Sequence, residues 1–257
     1  MARYKITIEY DGTNYFGWQR QSGLPTIQQK LEEVLFPLTK APVTIYGAGR
    51  TDAGVHALGQ VAHFDMPIKG SGTEEAKAKR EIDPLKIREC MNAHLRDEAI
   101  SILSVEQVEE NFDARFSARE RTYLYKILNR RAPPALEKNR VWHVMKPLDT
   151  EKMHKAAQCL VGRHDFSSFR AIGCQSNSPI KTLNSIKIYR EGDMIFAELK
   201  ARSFLYHQVR NIIGSLFMVG KRSWTAEDFQ QIFEQKDRTK AGQTAPACGL
   251  YFVSVSY

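Results

Sequence analysis

Residues 47–56, GAGRTDAGVH, set three glycines around Arg50 and Asp52. A dinucleotide fingerprint needs its third glycine where this chain has Asp52, and a nucleotide-binding P-loop needs a lysine where it has Val55. A carboxylate at position 52 repels a phosphate rather than cradling it. Metal binding fares little better. Asp52, His56, His63 and Asp65 offer ligand atoms, but there is no i, i+4 pair of histidines and no cysteine partner. What remains is a turn between two strands that presents one carboxylate, with an arginine two residues before it.

Working outward, Val43–Tyr46 and Leu58–Phe64 read as the strands joined by this turn. Ahead of them, Ala2–Asp11 alternates as a strand with Tyr4, Ile6, Ile8 and Tyr10 on one face. A helix follows, with Thr26 and Gln29 as a capping-box signature and Ile27, Leu31, Val34 and Leu35 as its apolar stripe. Pro84–Leu95 has helical spacing in Leu85, Ile87, Met91 and Leu95, and Ala99–Val108 is a closing strand. The order is β-α-β-β-α-β.

The second half repeats it: strand Arg121–Asn129, helix Thr150–Leu160, strands Thr182–Tyr189 and Ile195–Ala201, helix Phe204–Val219 and strand Leu250–Ser256. An extra helix, Ala226–Phe233, precedes the last strand, and Lys69–Arg80 reads as a surface loop. The expected class is α/β of the α+β type. Two ferredoxin-like halves, residues 1–110 and 111–257, are expected to join antiparallel sheets across a central cleft.

Composition bounds the partners. At 42% hydrophobic and 26% charged residues the chain is an ordinary folded protein, long enough at 257 residues for two packed domains. No apolar run approaches the ~20 residues that span a bilayer, and the N-terminus already alternates like a strand, so a cytoplasmic protein without membrane contact is expected. Cys90, Cys159, Cys174 and Cys248 form no C-x-x-C pair and read as reduced, mostly buried thiols. The net charge of +8 suits a polyanionic partner. Between Arg115 and Arg140, eight basic residues (Arg115, Arg119, Arg121, Lys126, Arg130, Arg131, Lys138, Arg140) face two glutamates, a surplus of either nucleic-acid-binding or merely solvated charge.

Three groups offer chemistry. Asp52 has no serine, cysteine or histidine in a hydrolase arrangement and no second carboxylate at catalytic spacing. A single carboxylate still serves as a nucleophile, provided that it stays ionised in a partly dry site, which a cationic partner favours. Arg210 lies among the apolar positions Leu205, Val209, Ile212, Ile213, Leu216 and Phe217 of one predicted core helix, where an arginine needs a partner or a route to the edge of the core. Beside it, Gly214 weakens the helix by about 1 kcal/mol relative to alanine, which points to close packing. Tyr123 shares a strand face with Tyr125, and either core packing or stacking on an extracted base accounts for it.

The segments YDGTNYFGWQRQ, GAGRTDAGVHALGQVAHF, ARFSARERTYLYKI, FSSFRA, FLYHQVRNIIGSL and GLYFVSV occur in the order and spacing of the tRNA pseudouridine synthase A family, which the chain resembles over nearly its whole length. The resemblance implies a pseudouridine synthase fold. It also implies a homodimer without cofactor or metal that acts on RNA rather than DNA, isomerising uridines 38, 39 and 40 in the anticodon stem-loop of tRNA. It makes Asp52 the nucleophile, Tyr123 the residue against the target base and Arg210 the ion-pair partner of Asp52. Arg50 would hold the flipped nucleotide and Leu250 would wall the pocket, while Arg130 and Arg131 are candidates for backbone contact. Attack at C1′, addition to C6 and removal of the 2′ proton on a glycal route all fit these residues. A non-catalytic tRNA-binding module or RNA chaperone would share the basic surplus and the doubled fold.

Overall fold

The computed structural model describes residues 1–66 and 82–257, so the expected loop Lys69–Arg80 lies outside the described residues. Two compact units emerge, one of Met1–Arg119 with Phe252–Tyr257 and one of Glu120–Tyr251. In the first, β1 (Ala2–Tyr10) leads through α1 (Ile27–Thr39) to β2 (Tyr46–Gly47) and β3 (His56–Met66). Then come α2 (Pro84–His94) and β4 (Ile100–Val108). The sheet order is β4-β1-β3, antiparallel throughout, with β2 also on β3. The alternation of β1 supplies part of its core: Tyr4, Ile6, Ile8 and Tyr10 are buried, as are Ile27, Leu31 and Leu35 of α1 and Ile87 and Met91 of α2.

Helix α1 starts as its sequence predicts, although only half of the capping box forms. The Thr26 hydroxyl accepts the Gln29 N–H at 3.4 Å, whereas the Gln29 amide turns along the helix to Glu33. In α2, Asp83 caps the Leu85 N–H ahead of Pro84, which fits the first turn because its missing N–H has no helical partner there. Leu85 itself is exposed, contrary to its place in the predicted apolar stripe, because a residue in the first turn stands clear of the sheet.

The second unit begins with β5 (Glu120–Leu128), β6 (Trp142–His143) and α3 (Thr150–Ala157). β7 (Gly162–Asp165), β8 (Ile180–Glu191), β9 (Met194–Ala201), α4 (Gln208–Gly220) and α5 (Ala226–Glu234) follow. Its order β5-β9-β8-β7 is antiparallel, with β6 parallel to β5. The chain closes in β10 (Leu250–Ser256), whose first two residues belong to this unit and the remainder to the first.

Helix α4 starts four residues later than its apolar pattern predicts. His207 takes a left-handed conformation at φ 59° that ends the preceding segment, and the Gln208 side chain turns back to accept the Leu205 N–H at 2.7 Å. The helix then packs closely against the chain near its C-terminal neighbour. A Cβ at Gly214 would stand 1.7 Å from the Gln243 carbonyl oxygen, so glycine alone fits there. The four cysteines are all free thiols, half-buried rather than buried. Among the described residues no helix is long and apolar enough to cross a membrane.

Candidate active site

The turn that carries Arg50 and Asp52 is bound on both sides to the chain around Gly12–Trp18. The Trp18 N–H donates to the Thr51 carbonyl at 3.0 Å, and the Gly54 N–H donates to the Tyr15 carbonyl at 3.3 Å. Inside the turn the Val55 N–H closes on the Asp52 carbonyl at 3.1 Å, leaving the Asp52 side chain half-buried and Arg50 exposed. Ala48, just after β2, donates to the Val61 carbonyl at 2.7 Å, so the glycine segment continues the β2–β3 pairing before it turns. The approach of the first segment is tight. A Cβ on Gly12 would lie 2.0 Å from the Val55 carbonyl oxygen, well inside any permitted distance.

Buried polar groups fill the space beneath the turn. The Tyr10 hydroxyl and the Thr51 hydroxyl are 2.8 Å apart, and the Gln60 amide donates to the Gly49 carbonyl at 2.8 Å. Burial pushes the Tyr10 phenol up to about 12, with the neighbouring Thr51 hydroxyl and Gln60 side chain pulling the other way. The other donors weighed in the sequence have partners of their own. His56 Nδ1 accepts the Gly12 N–H at 3.1 Å and lies 3.1 Å from an Asp11 carboxylate oxygen. His63 Nδ1 accepts the Ala114 N–H at 3.0 Å, and burial lowers its pKa. Asp65 forms a two-pronged pair with Arg3 at 2.7 Å, which holds its carboxyl below the usual range.

In the second unit, Tyr123 and Tyr125 do share one face of β5, as strand alternation predicts, yet their surroundings differ. Tyr123 is 8% exposed, and its ring stands edge-on to Phe204, centroids 5.0 Å apart. Tyr125 is fully enclosed, donates from its hydroxyl to the Pro246 carbonyl at 2.7 Å, and is pushed well above its ordinary pKa by burial. Arg210 is half-buried on α4 and binds the neighbouring carbonyl, its Nε donating to Ala245 at 2.8 Å. The Ala245 N–H returns a bond to the Arg210 carbonyl at 3.1 Å. With Nε fixed, the plane of the guanidinium is fixed too. Arg210 is therefore no loose snorkelling side chain. Leu250 follows directly on the turn Ala247–Gly249 and is 6% exposed.

Asn211, next to Arg210, is a residue that the sequence does not single out. It is wholly buried, donating to the Phe169 carbonyl at 2.9 Å and accepting from Thr244 and Arg238 at 2.7 and 3.0 Å. It ties α4 to the segment that holds Arg210, and the only sequence signal for it is an amide in the middle of an apolar helix. Arg50 and Asp52 thus share one turn of the first unit, while Tyr123, Arg210 and Leu250 belong to the second.

The basic run is not a single surface. Arg121 is 7% exposed and donates to the Arg202 carbonyl. Lys126 lies with its Nζ 4.0 Å from the centre of the Tyr251 ring, and burial lowers its pKa. Both are therefore engaged inside the protein rather than lying on a solvated face. Arg115 and Arg119 fall in the first unit. Arg130 and Arg131 remain exposed just after β5, with Arg130 3.5 Å from Asp193 and its Nε on the Ala132 carbonyl.

Comparison with known proteins bears on this geometry. A family model described as tRNA pseudouridine synthase matches residues 6–117 and 156–257. A tRNA pseudouridine synthase A of Bartonella tribocorum is 53% identical over 259 residues, spanning 100% of both chains. The protein of that name from Rhodospirillum rubrum is 51% identical over 257 residues, covering 100% of this chain and 88% of its own. The matched ranges include both the Asp52 turn and the Arg210 helix, and the chain belongs to the tRNA pseudouridine synthase family.

Proposed function

We propose that this protein isomerises uridine to pseudouridine in the anticodon stem-loop of tRNA, at positions 38, 39 and 40, with Asp52 as the nucleophile. The observation that carries the reading is the fixed turn. Asp52 is half-buried on a turn held through the Thr51 and Asp52 carbonyls and the Gly54 and Val55 N–H groups, which limits how far its backbone can wander. Family membership supplies the reaction, and the turn supplies the means. Preorganised placement of a reacting group is worth several powers of ten in rate, because the loss of motion is met in folding rather than in the reaction.

The chemistry makes few demands. The N1–C1′ bond of the target uridine breaks, the ring turns, C5 bonds to C1′, and the C5 proton leaves to solvent while N1 gains one. Atoms balance with no oxidant or reductant. The target must leave its stack, at a cost of a few kcal/mol, and competing water must be kept from C1′. In this reading Arg210 pairs with Asp52 and keeps it ionised, Tyr123 stacks on the uracil, Arg50 holds the flipped nucleotide and Leu250 closes the pocket with an apolar wall. Arg130 and Arg131 contact the RNA backbone. The enzyme works as a cytoplasmic homodimer, without cofactor.

The test is to incubate the protein with unmodified tRNA transcripts, isolate the anticodon-arm fragment after site-selective ribonuclease cleavage, and separate its nucleosides by chromatography. Pseudouridine appearing in the anticodon arm supports the proposal. Tight tRNA binding with no pseudouridine identifies instead an RNA-binding module or chaperone.

A further inference from the structure

Three buried polar side chains lie beneath the catalytic turn, and packing alone does not call for them. Tyr10, at the end of β1, is 3% exposed; Thr51 is 7% exposed; Gln60, within β3, is 0% exposed. A phenylalanine, a valine and a leucine or methionine would fill similar space without the cost of removing polar groups from water. Here each polar group is matched. Tyr10 and Thr51 share a hydrogen bond of 2.8 Å, and Gln60 reaches the Gly49 carbonyl at 2.8 Å. Gln60 is further held through its Oε1, which accepts the Val61 N–H at 3.2 Å.

The placement of these bonds is specific. Gly49 and Thr51 flank Arg50, and Thr51 immediately precedes Asp52. The two strands therefore grip the turn by a carbonyl and a hydroxyl on either side of the arginine. The Thr51 carbonyl faces the other way and accepts the Trp18 N–H. The residue before the carboxylate is thus held by its main chain and its side chain at once. The phenol, pushed up to about 12 by burial, stays protonated at any working pH and remains able to donate. A buried network with every member satisfied stiffens the structure around it.

We propose that Tyr10, Thr51 and Gln60 are positioning residues for Asp52: their buried hydrogen bonds set the direction in which its carboxylate meets the uridine. The inference rests on the reading of Asp52 as the nucleophile. It assigns to the side chain of Thr51 and to the first strand a part in the rate of reaction and none in RNA affinity.

The experiment compares wild type, Tyr10→Phe, Thr51→Val, Thr51→Ser and Asp52→Asn in single-turnover pseudouridine formation at saturating tRNA, with tRNA affinity and thermal unfolding measured for each. Thr51→Val and Tyr10→Phe are expected to lose roughly 10–100-fold in rate constant, on the scale of a displacement of up to ~1 Å, with tRNA affinity unchanged. Thr51→Ser, which keeps the hydroxyl, is expected to stay close to wild type. Tyr10→Phe removes one oxygen and adds no volume, so it carries the test if Thr51→Val fails to fold. Wild-type rates in folded Thr51→Val or Tyr10→Phe, even with lowered thermal stability, overturn the inference and leave the network a structural one. So does a Thr51→Ser variant as slow as Thr51→Val. If Asp52→Asn is inert while Thr51→Val is normal, only the positioning inference fails; if Asp52→Asn turns over, the nucleophile reading fails with it.

Discussion

Replacing Gly12 by alanine tests the coupling between the first segment and the Asp52 turn. The new Cβ would stand 2.0 Å from the Val55 carbonyl oxygen, where ordinary contact starts at 3.4 Å, and the obstacle is backbone rather than the end of a flexible side chain. The two stretches of chain must part by more than about 1 Å, a displacement that costs on the order of 100-fold in rate when it reaches a reacting group. Val55 is bound to the Asp52 carbonyl, so the shift is passed directly to the carboxylate. Overpacking and the weakened bond from Gly12 N–H to His56 together should destabilise the fold by roughly 2–4 kcal/mol. Urea unfolding gives the first quantity, and single-turnover pseudouridine formation at saturating tRNA gives the second. A Gly12→Ala protein with the wild-type unfolding midpoint and rate would refute the close approach and its role in holding Asp52.

Arg210→Lys should keep the charge but lose the bond from Nε to the Ala245 carbonyl, and with it the planar fork, leaving roughly a tenth of the activity or less in steady-state assays; a wild-type rate would remove the ion-pair assignment. Tyr123→Phe should retain tRNA affinity, and its single-turnover rate then separates stacking, which survives, from proton transfer by the hydroxyl, which does not. Tyr125→Phe, on the same face, should cost roughly 1–2 kcal/mol in denaturant titration through the bare Pro246 carbonyl and leave turnover intact. Arg130→Ala with Arg131→Ala should reduce the slope of log affinity against log salt by about 0.7–0.9 for each arginine that pairs with a phosphate, with the catalytic rate at saturation unchanged. Tyr10 has a folded pKa of about 12 against an ordinary 10.0, so the native state holds this proton more tightly than the unfolded one. Its contribution is complete below pH ~10 and is lost as the pH rises towards ~12, and Tyr10→Phe should flatten that part of the stability profile.

Long, periodic elements are legible in the sequence because local pattern and burial agree in them. The alternation of Tyr4, Ile6, Ile8 and Tyr10 and the stripe of Ile27, Leu31 and Leu35 are the core of the first unit. The two-residue strands Tyr46–Gly47 and Trp142–His143 and the polar strand Gly162–Asp165 have no such pattern, since pairing with a neighbour alone defines them. Helix α4 looks longer in the sequence than it is because Phe204 and Leu205 extend its apolar run, while the left-handed turn at His207 that separates them leaves no mark in hydrophobicity. Arg121 resembles surface charge because its partner, the Arg202 carbonyl, is 81 residues away in the chain. The spacing around Asp52 excludes the common phosphate loops, but its role comes from the family resemblance. The bonds of Tyr10 and Gln60 to the Asp52 turn join residues up to 41 positions apart in sequence that only the sheet brings together.

Tritium release from tRNA carrying [5-³H]uridine tests Asp52 as the nucleophile, with wild type and Asp52→Asn compared at matched tRNA occupancy. The amide preserves the size of the side chain and removes the nucleophile. Wild type is expected to free tritium in step with pseudouridine formation, and Asp52→Asn to bind the same tRNA but free none. Tritium release by Asp52→Asn at a rate comparable to wild type would contradict that role.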